Sequence, residues 1–153
     1  MVRFATEKDI QQVNDLRRQV NELHVMGRPD IFRDGAEQML YELTGTFING
    51  ENSDILVSER DGMICGMACV DYIDKPESLY TVARKFYHVQ EIAVDKSFRR
   101  QGVASELVEF MKADAKRRGL EKIELSVWTF NESAMEFYEA MGFRKTRIWM
   151  ELG

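Results

Sequence analysis

The residues best placed to do chemistry stand in one short run, Arg99-Arg100-Gln101-Gly102-Val103-Ala104-Ser105, between the apolar stretch Ile92-Ala93-Val94 and a long amphipathic segment. The first backbone N–H groups of a helix lack intrahelical partners, and the helix dipole adds partial positive charge at that end. Gly102 removes a side chain where an anion must touch the backbone, and the small Ala104 keeps the next approach open. Arg99 and Arg100 add full positive charge on a chain whose formal net charge is -5. This combination suits a phosphate. The same residues also suit a solvated basic turn ahead of an ordinary helix. No Gly-Lys-Ser or Gly-Lys-Thr follows, as a nucleotide P-loop requires, and three spaced glycines of a dinucleotide fingerprint are absent.

The elements that must position this run can be read around it. Val2 to Ala5 suggest a first strand. Thr6, three residues before Asp9, forms a capping-box-like start, and Ile10, Val13, Leu16 or Arg17, Val20 and Leu23 recur at helical spacing to about Met26, where Gly27 and Pro29 stop the helix. Residues 28–35 read as a loop and Ala36 to Phe47 as a second helix. From Asp54 the period changes. Ile55-Leu56-Val57 and Met63 to Tyr72, separated by Asp61-Gly62, predict a β-hairpin, and Phe86 to Val94 a further strand that runs into the basic turn. Val103, Leu107, Val108, Met111 and Ala115 form one face of the next helix, closed by Gly119. A strand over Lys122 to Trp128, a helix over Ser133 to Met141 and a last strand over Phe143 to Leu152 complete a single α/β domain spanning 1–153.

Composition narrows the function classes. With 44% hydrophobic and 31% charged residues the chain reads as a soluble globular domain, and its acidic balance excludes a broad electrostatic footprint for nucleic acid. No apolar run approaches membrane-spanning length, and the amino-terminal residues resemble neither a signal peptide nor a lipidation site, so no membrane association and a cytoplasmic location are expected. Cys65 and Cys69 share one predicted strand. Four strand residues span about 13 Å, and a disulfide needs Cα atoms within about 7 Å, so two free thiols are expected. His24 and His88 lie far apart, with no clustered cysteine–histidine spacing, so no metal is expected.

The run Ile92-Ala93-Val94-Asp95 with Arg99-x-x-Gly102-x-Ala104 closely resembles the cofactor motif of the GNAT superfamily, the acyl-CoA-dependent N-acetyltransferases. Asn131-Glu132-Ser133-Ala134 through Phe137-Tyr138, then Met141-Gly142-Phe143, looks like that family's late helix and its exit into the next strand. The order of elements is similar along the whole chain. The resemblance implies a mixed central sheet of about six to seven strands flanked by about four helices. It implies that Ile92, Ala93 and Val94 offer backbone groups to the pantetheine arm of acetyl-CoA, as if the arm were an added strand. Amides and side chains of Arg99, Arg100, Gln101, Gly102, Val103, Ala104 and Ser105 would cradle the pyrophosphate, Asn131 and Ser133 would reach the cofactor, and Tyr138 would sit near its sulfur.

The reaction so implied is direct attack of a neutral amine, on a small molecule or a peptide, upon the thioester in a ternary complex. A thiol of pKa near 8.5 leaves tolerably well as thiolate, so an acid helps only modestly. Tyr138 is the candidate acid, although it also falls at core-facing helical spacing with Ala134, Phe137 and Met141. Glu91 and His88 are the candidate bases. Some relatives carry a glutamate on this strand, and a gapless count back from Gly102 brings His88 nearer that position; water is a third route for the proton. In the ribosomal-protein N-terminal acetyltransferases the base stands on the next strand, where this chain has Ser126, which cannot serve. His24, Arg28, Asp30 and Phe32 are the candidate acceptor-lining residues, although turn chemistry accounts for Arg28-Pro29-Asp30 equally well; Trp128 and Tyr87 could add an aromatic wall, with core packing the simpler reading of each. Relatives often form dimers, so a homodimer is an open expectation. A catalytically silent acyl-CoA sensor and a generic anion-binding domain are the rival readings of the same turn.

Overall fold

A computed structural model describes residues 1–35 and 37–153; the start of the expected second helix at Ala36 lies outside the described residues. The elements are β1 (Val2–Phe4), α1 (Ile10–Gly27) after a 3-10 turn at Glu7–Asp9, α2 (Glu37–Phe47), β2 (Ser53–Arg60), β3 (Met63–Lys75), β4 (Arg84–Val94), α3 (Val103–Arg117), β5 (Ile123–Leu125) and α4 (Glu132–Ala140). The strands form one sheet in the order β1-β2-β3-β4-β5, antiparallel except where β5 lies parallel to β4. This is the mixed α/β sheet with four helices expected, with five strands among the described residues where six to seven were expected.

The missing strand is Phe143 to Leu152, which joins no ladder. Its apolar residues suit a strand, but a strand needs a neighbour for its backbone groups, and among the described residues the segment pairs with none. Ile148, Trp149, Met150 and Leu152 are all exposed. The expected strand from Lys122 to Trp128 is likewise cut to three residues, because β5 follows β4 only through the pairs Tyr87–Ile123, His88–Glu124 and Val89–Leu125.

Both faces of the sheet are covered. On one, Leu56, Cys65, Ala68, Val70, Tyr87 and Val89 meet Val103, Leu107, Val108, Met111 and Ala115 of α3. On the other, Ile55, Val57, Met67, Cys69 and Ala93 meet Val13 and Leu16 of α1. Cys65 and Cys69 are both free and buried, yet they belong to opposite faces. The register explains this. Ser58 pairs with Gly66 and Glu59 with Ile64, which leaves Cys65 as the extra residue of a β-bulge that inverts the side-chain alternation.

The amino-terminal turn is tied to the sheet by charge. The Asp9 carboxylate accepts from the Thr6 N–H at 2.8 Å and from the Arg3 guanidinium at 2.8 and 3.0 Å, and Arg3 also donates to Glu59 at 2.8 Å. Hydrogen bonding to Arg3 holds the Asp9 carboxyl below its ordinary range. A carboxyl depressed in the folded state stabilises the fold above its unfolded pKa, near 3.9, and loses that contribution as pH falls through the folded value. Asp9→Asn should therefore cost about 1–2 kcal/mol at neutral pH, and the difference from wild type should vanish in strong acid; urea unfolding at the two pH values measures it. A difference that persisted in acid would locate the stabilisation elsewhere.

Candidate active site

A second bulge builds the site. Cys69 pairs with Glu91 and Val70 with Val89, so Gln90 is an extra residue in β4. Before it, Tyr87 and Val89 point to the α3 face; after it, Ile92 and Val94 do, while Ala93 turns to the α1 face. His88 and Glu91 thereby share the α1 face although they stand three residues apart. β4 also parts from β5 just here. Beyond Val89 the strand bonds only to β3, so the edge of β4 from Gln90 to Val94 that faced β5 is open. An open edge in the middle of a sheet is an extended-chain binding groove.

At the end of that edge the chain enters the basic turn. Asp95 caps the 3-10 turn Lys96–Phe98, its carboxylate accepting from the Ser97 N–H at 2.9 Å. Arg100 and Gly102 both adopt left-handed conformations, φ 61° and 81°, before α3 begins at Val103. A Cβ on Gly102 would touch nothing within 4 Å, so the glycine serves the backbone conformation and leaves open space beside the helix start. Arg99 and Arg100 are exposed and form no ion pair among the described residues. Val103 contributes differently from its neighbours, because its side chain is buried in the core and only its backbone faces the turn. Ala104 and Ser105 are partly open, and Gln101 is exposed with its amide on the Ser97 carbonyl at 3.2 Å. Arg60 braces the turn from β2, donating to the Gln101 carbonyl at 3.1 Å and to Glu106 at 2.8 Å.

Two ionisable pairs occupy the α1 face of β4. Glu91 Oε2 lies 3.5 Å from Arg17 Nε, and Arg17 donates to Thr44 at 3.1 Å. Burial raises the Glu91 carboxyl above its ordinary value, and the Arg17 charge opposes that. His88 Nδ1 lies 3.4 Å from Asp71 Oδ2, directly across the β3–β4 ladder, and the Gln90 amide donates to the same oxygen at 2.5 Å. His88 keeps 28% of its side-chain surface open.

At the start of α4, Asn131 is the N-cap, its Oδ1 accepting from the Ala134 N–H at 3.4 Å, and Ser133 is exposed in the first turn. Tyr138 lies on the same helix, its ring 5.5 Å from Phe137 and 5.6 Å from Phe143. Burial pushes its phenol up to about 12, so it keeps its proton throughout the neutral range.

The expected acceptor-lining residues form one cluster. His24 stacks on Phe32 at 4.8 Å and meets the edge of Phe130 at 6.1 Å; Trp128 stacks on Phe130 at 6.0 Å and meets Phe32 at 5.6 Å. Desolvation lowers the His24 pKa. Arg28 lies 5.5 Å over the Trp128 ring, bonded to Asp30 at 2.9 and 2.8 Å and to Glu151 at 2.7 Å. Trp128 thus joins the wall, but Tyr87 does not. It is fully buried on the α3 face, against Tyr72 at 5.4 Å and Asp114 at 3.4 Å, because a residue before the bulge and one register from His88 must face the opposite way. Asp71, Arg17, Phe130 and Glu151 were not legible as site residues. The partners of Asp71, Arg17 and Glu151 lie between 17 and 123 positions away in sequence, Asp71's across a ladder whose register only the bulge sets. Among the described residues no group of His, Cys, Asp and Glu could hold a metal ion, and no helix is long and apolar enough to cross a membrane.

The α/β sheet thus opens beside one strand and ends that strand in a left-handed turn at a helix start, a groove continuous with a turn suited to an anion. The sequence model of the acetyltransferase (GNAT) family matches residues 17–143, and the chain belongs to that family. It is similar to N-acetyltransferase 8 of Homo sapiens, 30% identical over 105 residues that cover 69% of this chain and 44% of that protein. It is also similar to an uncharacterized N-acetyltransferase of Methanocaldococcus jannaschii, 33% identical over 72 residues covering 45% and 32% of the two chains. This chain spans less than half the length of either. Among solved structures, the tetramutant of BH1408 protein from Bacillus halodurans superposes at a TM-score of 0.95 with 30% identity, covering 100% of this chain and 99% of the other. An aminoglycoside N-acetyltransferase, AAC(6')-Iy in complex with CoA, shares the fold at a TM-score of 0.79 with 15% identity, covering 100% and 93%.

Proposed function

We propose that the chain transfers the acetyl group of acetyl-CoA to a primary amine of a small molecule or peptide, by direct attack in a ternary complex. The observation that carries this reading is the continuity of the open β4 edge with the left-handed turn at Arg100 and Gly102. An extended amide-bearing arm needs the first and a pyrophosphate the second. The residues present fit the group: the open edge over Ile92, Ala93 and Val94 offers the backbone groups that do not pair with β3, and the turn from Arg99 to Ser105 supplies amides and two guanidinium groups that form no ion pair among the described residues. Acetyl-CoA brings the activated thioester. A backbone N–H of the open edge polarises its carbonyl as negative charge develops on oxygen.

His88 is proposed as the base that takes the proton from the acceptor amine. A proton on Nδ1, donated to Asp71, leaves the Nε2 lone pair for that task. Glu91 is the weaker choice, because Arg17 already engages its carboxylate. The new C–N bond forms as the C–S bond breaks, and the Tyr138 hydroxyl donates to the departing thiolate. The cluster of His24, Arg28, Asp30, Phe32 and Trp128 is proposed to line the acceptor side; the aminoglycoside N-acetyltransferase sharing this fold makes aminoglycosides reasonable first probes.

Thermal unfolding with acetyl-CoA, and separately with inorganic phosphate, tests the binding half. Acetyl-CoA at a hundredfold excess over its Kd should add about 2.7 kcal/mol, and phosphate should add far less. Equal stabilisation by the two would reduce the turn to a generic anion site. Thiol release with polyamines, aminoglycosides, amino acids and peptides tests the transfer half, and His88→Gln should slow it by about 10²-fold without weakening acetyl-CoA binding. Binding with no thiol release from any amine would favour the silent acyl-CoA sensor.

A further inference from the structure

Where β4 parts from β5, α1 takes hold of it. Ile92, Ala93 and Val94 are bonded to β3 and open on the other side. Glu91 and Asp95 bracket these three residues, and each is held from α1. Arg17 meets the Glu91 carboxylate at 3.5 Å. Two residues further along α1, the Gln19 side chain engages with both of its groups. Its Nε2 donates to Asp95 Oδ2 at 3.0 Å, and its Oε1 accepts from the Lys96 N–H at 3.3 Å. Only one orientation of the amide satisfies a carboxylate and an N–H together. Gln12, seven residues earlier and so on the same face of α1, accepts from the Ile64 N–H of β3 at 2.9 Å.

What Gln19 holds is the entry to the basic turn. Asp95 gives its other oxygen, Oδ1, to the Ser97 N–H at 2.9 Å, and its carbonyl accepts from the Phe98 N–H at 2.9 Å. The Ser97 carbonyl in turn accepts from the Gln101 side-chain amide at 3.2 Å. Gln101 stands between the two left-handed residues, Arg100 and Gly102. Hydrogen bonds therefore run without a gap from α1, through Asp95 and Ser97, to the middle of the turn. Arg100 is not a glycine, and its φ of 61° is a sparsely populated conformation that surrounding bonds must hold. The Gln19 amide and the Ser97 N–H keep the Asp95 carboxyl below its ordinary range, so it stays an acceptor at neutral pH.

We propose that Gln19 is a positioning residue for pyrophosphate recognition: through Asp95 and Lys96 it presets the turn from Arg99 to Ser105 in the shape that receives the pyrophosphate of an acyl-CoA. This rests on the acetyl-CoA reading above. Amides already aimed at an anion bind it without first being ordered, whereas a released turn must be ordered by the ligand, at the expense of affinity. The effect falls on the pyrophosphate end of the cofactor alone. The strand that would receive the pantetheine arm is held by its ladder to β3, in which Gln19 has no part.

Gln19→Met keeps the length of the side chain and removes both hydrogen bonds. Calorimetric titration should show acetyl-CoA binding weakened about 5- to 10-fold, while S-acetylpantetheine, which lacks the pyrophosphate, binds as it does to wild type. Equal weakening of the two ligands overturns the proposal, because a general loosening of the site would produce it. Unchanged acetyl-CoA affinity in Gln19→Met overturns this proposal alone; a wild type that binds no acetyl-CoA overturns the acetyl-CoA reading and the pyrophosphate role with it. Combined with Asp95→Ala, the Gln19→Met change should lose less than the product of the two single losses, and a full product overturns the route through Asp95. Hydrogen exchange of the free chain gives a readout without cofactor. The Ser97 and Phe98 amides, both bonded to Asp95, should exchange about 5-fold faster in Gln19→Met while those of β3 keep wild-type rates. Unchanged exchange at Ser97 and Phe98 overturns the proposal as well.

Discussion

Tyr138→Phe is expected to lower turnover by about 10- to 100-fold while leaving the Kd for acetyl-CoA unchanged. The size follows from the hydroxyl's environment. Burial keeps the phenol protonated, with a pKa pushed up to about 12, well above that of a thiol, near 8.5. In the proposed reaction full proton transfer from Tyr138 to the departing thiolate would therefore be uphill, and the hydroxyl would act as a hydrogen-bond donor to a developing charge. Such a bond contributes about 1.5–3 kcal/mol, hence the modest factor. Phenylalanine preserves the contacts of the ring with Phe137 and Phe143, so the fold should not change. Steady-state kinetics with a competent amine, paired with calorimetric titration of acetyl-CoA, gives both quantities. An unchanged turnover would assign Tyr138 to packing alone.

Gly66→Val is expected to be the most destabilising small substitution in the sheet. A Cβ at Gly66 would stand 2.4 Å from Val103 Cγ1, 3.3 Å from Leu107 Cδ1 and 3.4 Å from the Ala93 carbonyl oxygen. Val103 is β-branched and nearly fully buried at the first position of α3, so it has no alternative rotamer to move into. The helix start must shift instead. Even Gly66→Ala should cost about 1–3 kcal/mol, and valine more, by overpacking. The shift carries the turn from Arg99 to Ser105 with it, so acetyl-CoA affinity should fall together with stability. Urea unfolding of the alanine and valine variants, with acetyl-CoA titrations of the folded fraction, measures both. Stabilities within about 0.5 kcal/mol of wild type would show that α3 can move freely against β3.

Much of the fold was legible because its cues are local. Helical spacing at Val13 and Leu16, and at Val103, Leu107 and Met111, marked α1 and α3, and Asp61-Gly62 marked the β2–β3 hairpin. The basic turn was legible for the same reason, since its glycine, its arginines and the following helix are contiguous. Gly66 carried a signal that could have been read further. A glycine inside an apolar strand marks close approach of something, although not of what. The final segment misled. Phe143 to Leu152 has the composition of a strand, and composition states what a segment can pair with, not whether a neighbour is present.

The amino-acid sequence by itself marked where an anion would fit: a helix start, a residue able to adopt positive φ at Gly102, and the two adjacent arginines Arg99 and Arg100. Those are properties of adjacent residues. Only the tertiary structure decided what faces that anion's groove. The bulge at Gln90 reverses the alternation of β4, which puts His88 and Glu91 on one face, sends Tyr87 to the other and coincides with the parting from β5. A bulge is one residue inserted into a ladder, and its position depends on the partner strand rather than on the strand that contains it. The pairing of His88 with Asp71 and of Glu91 with Arg17 follows from that register.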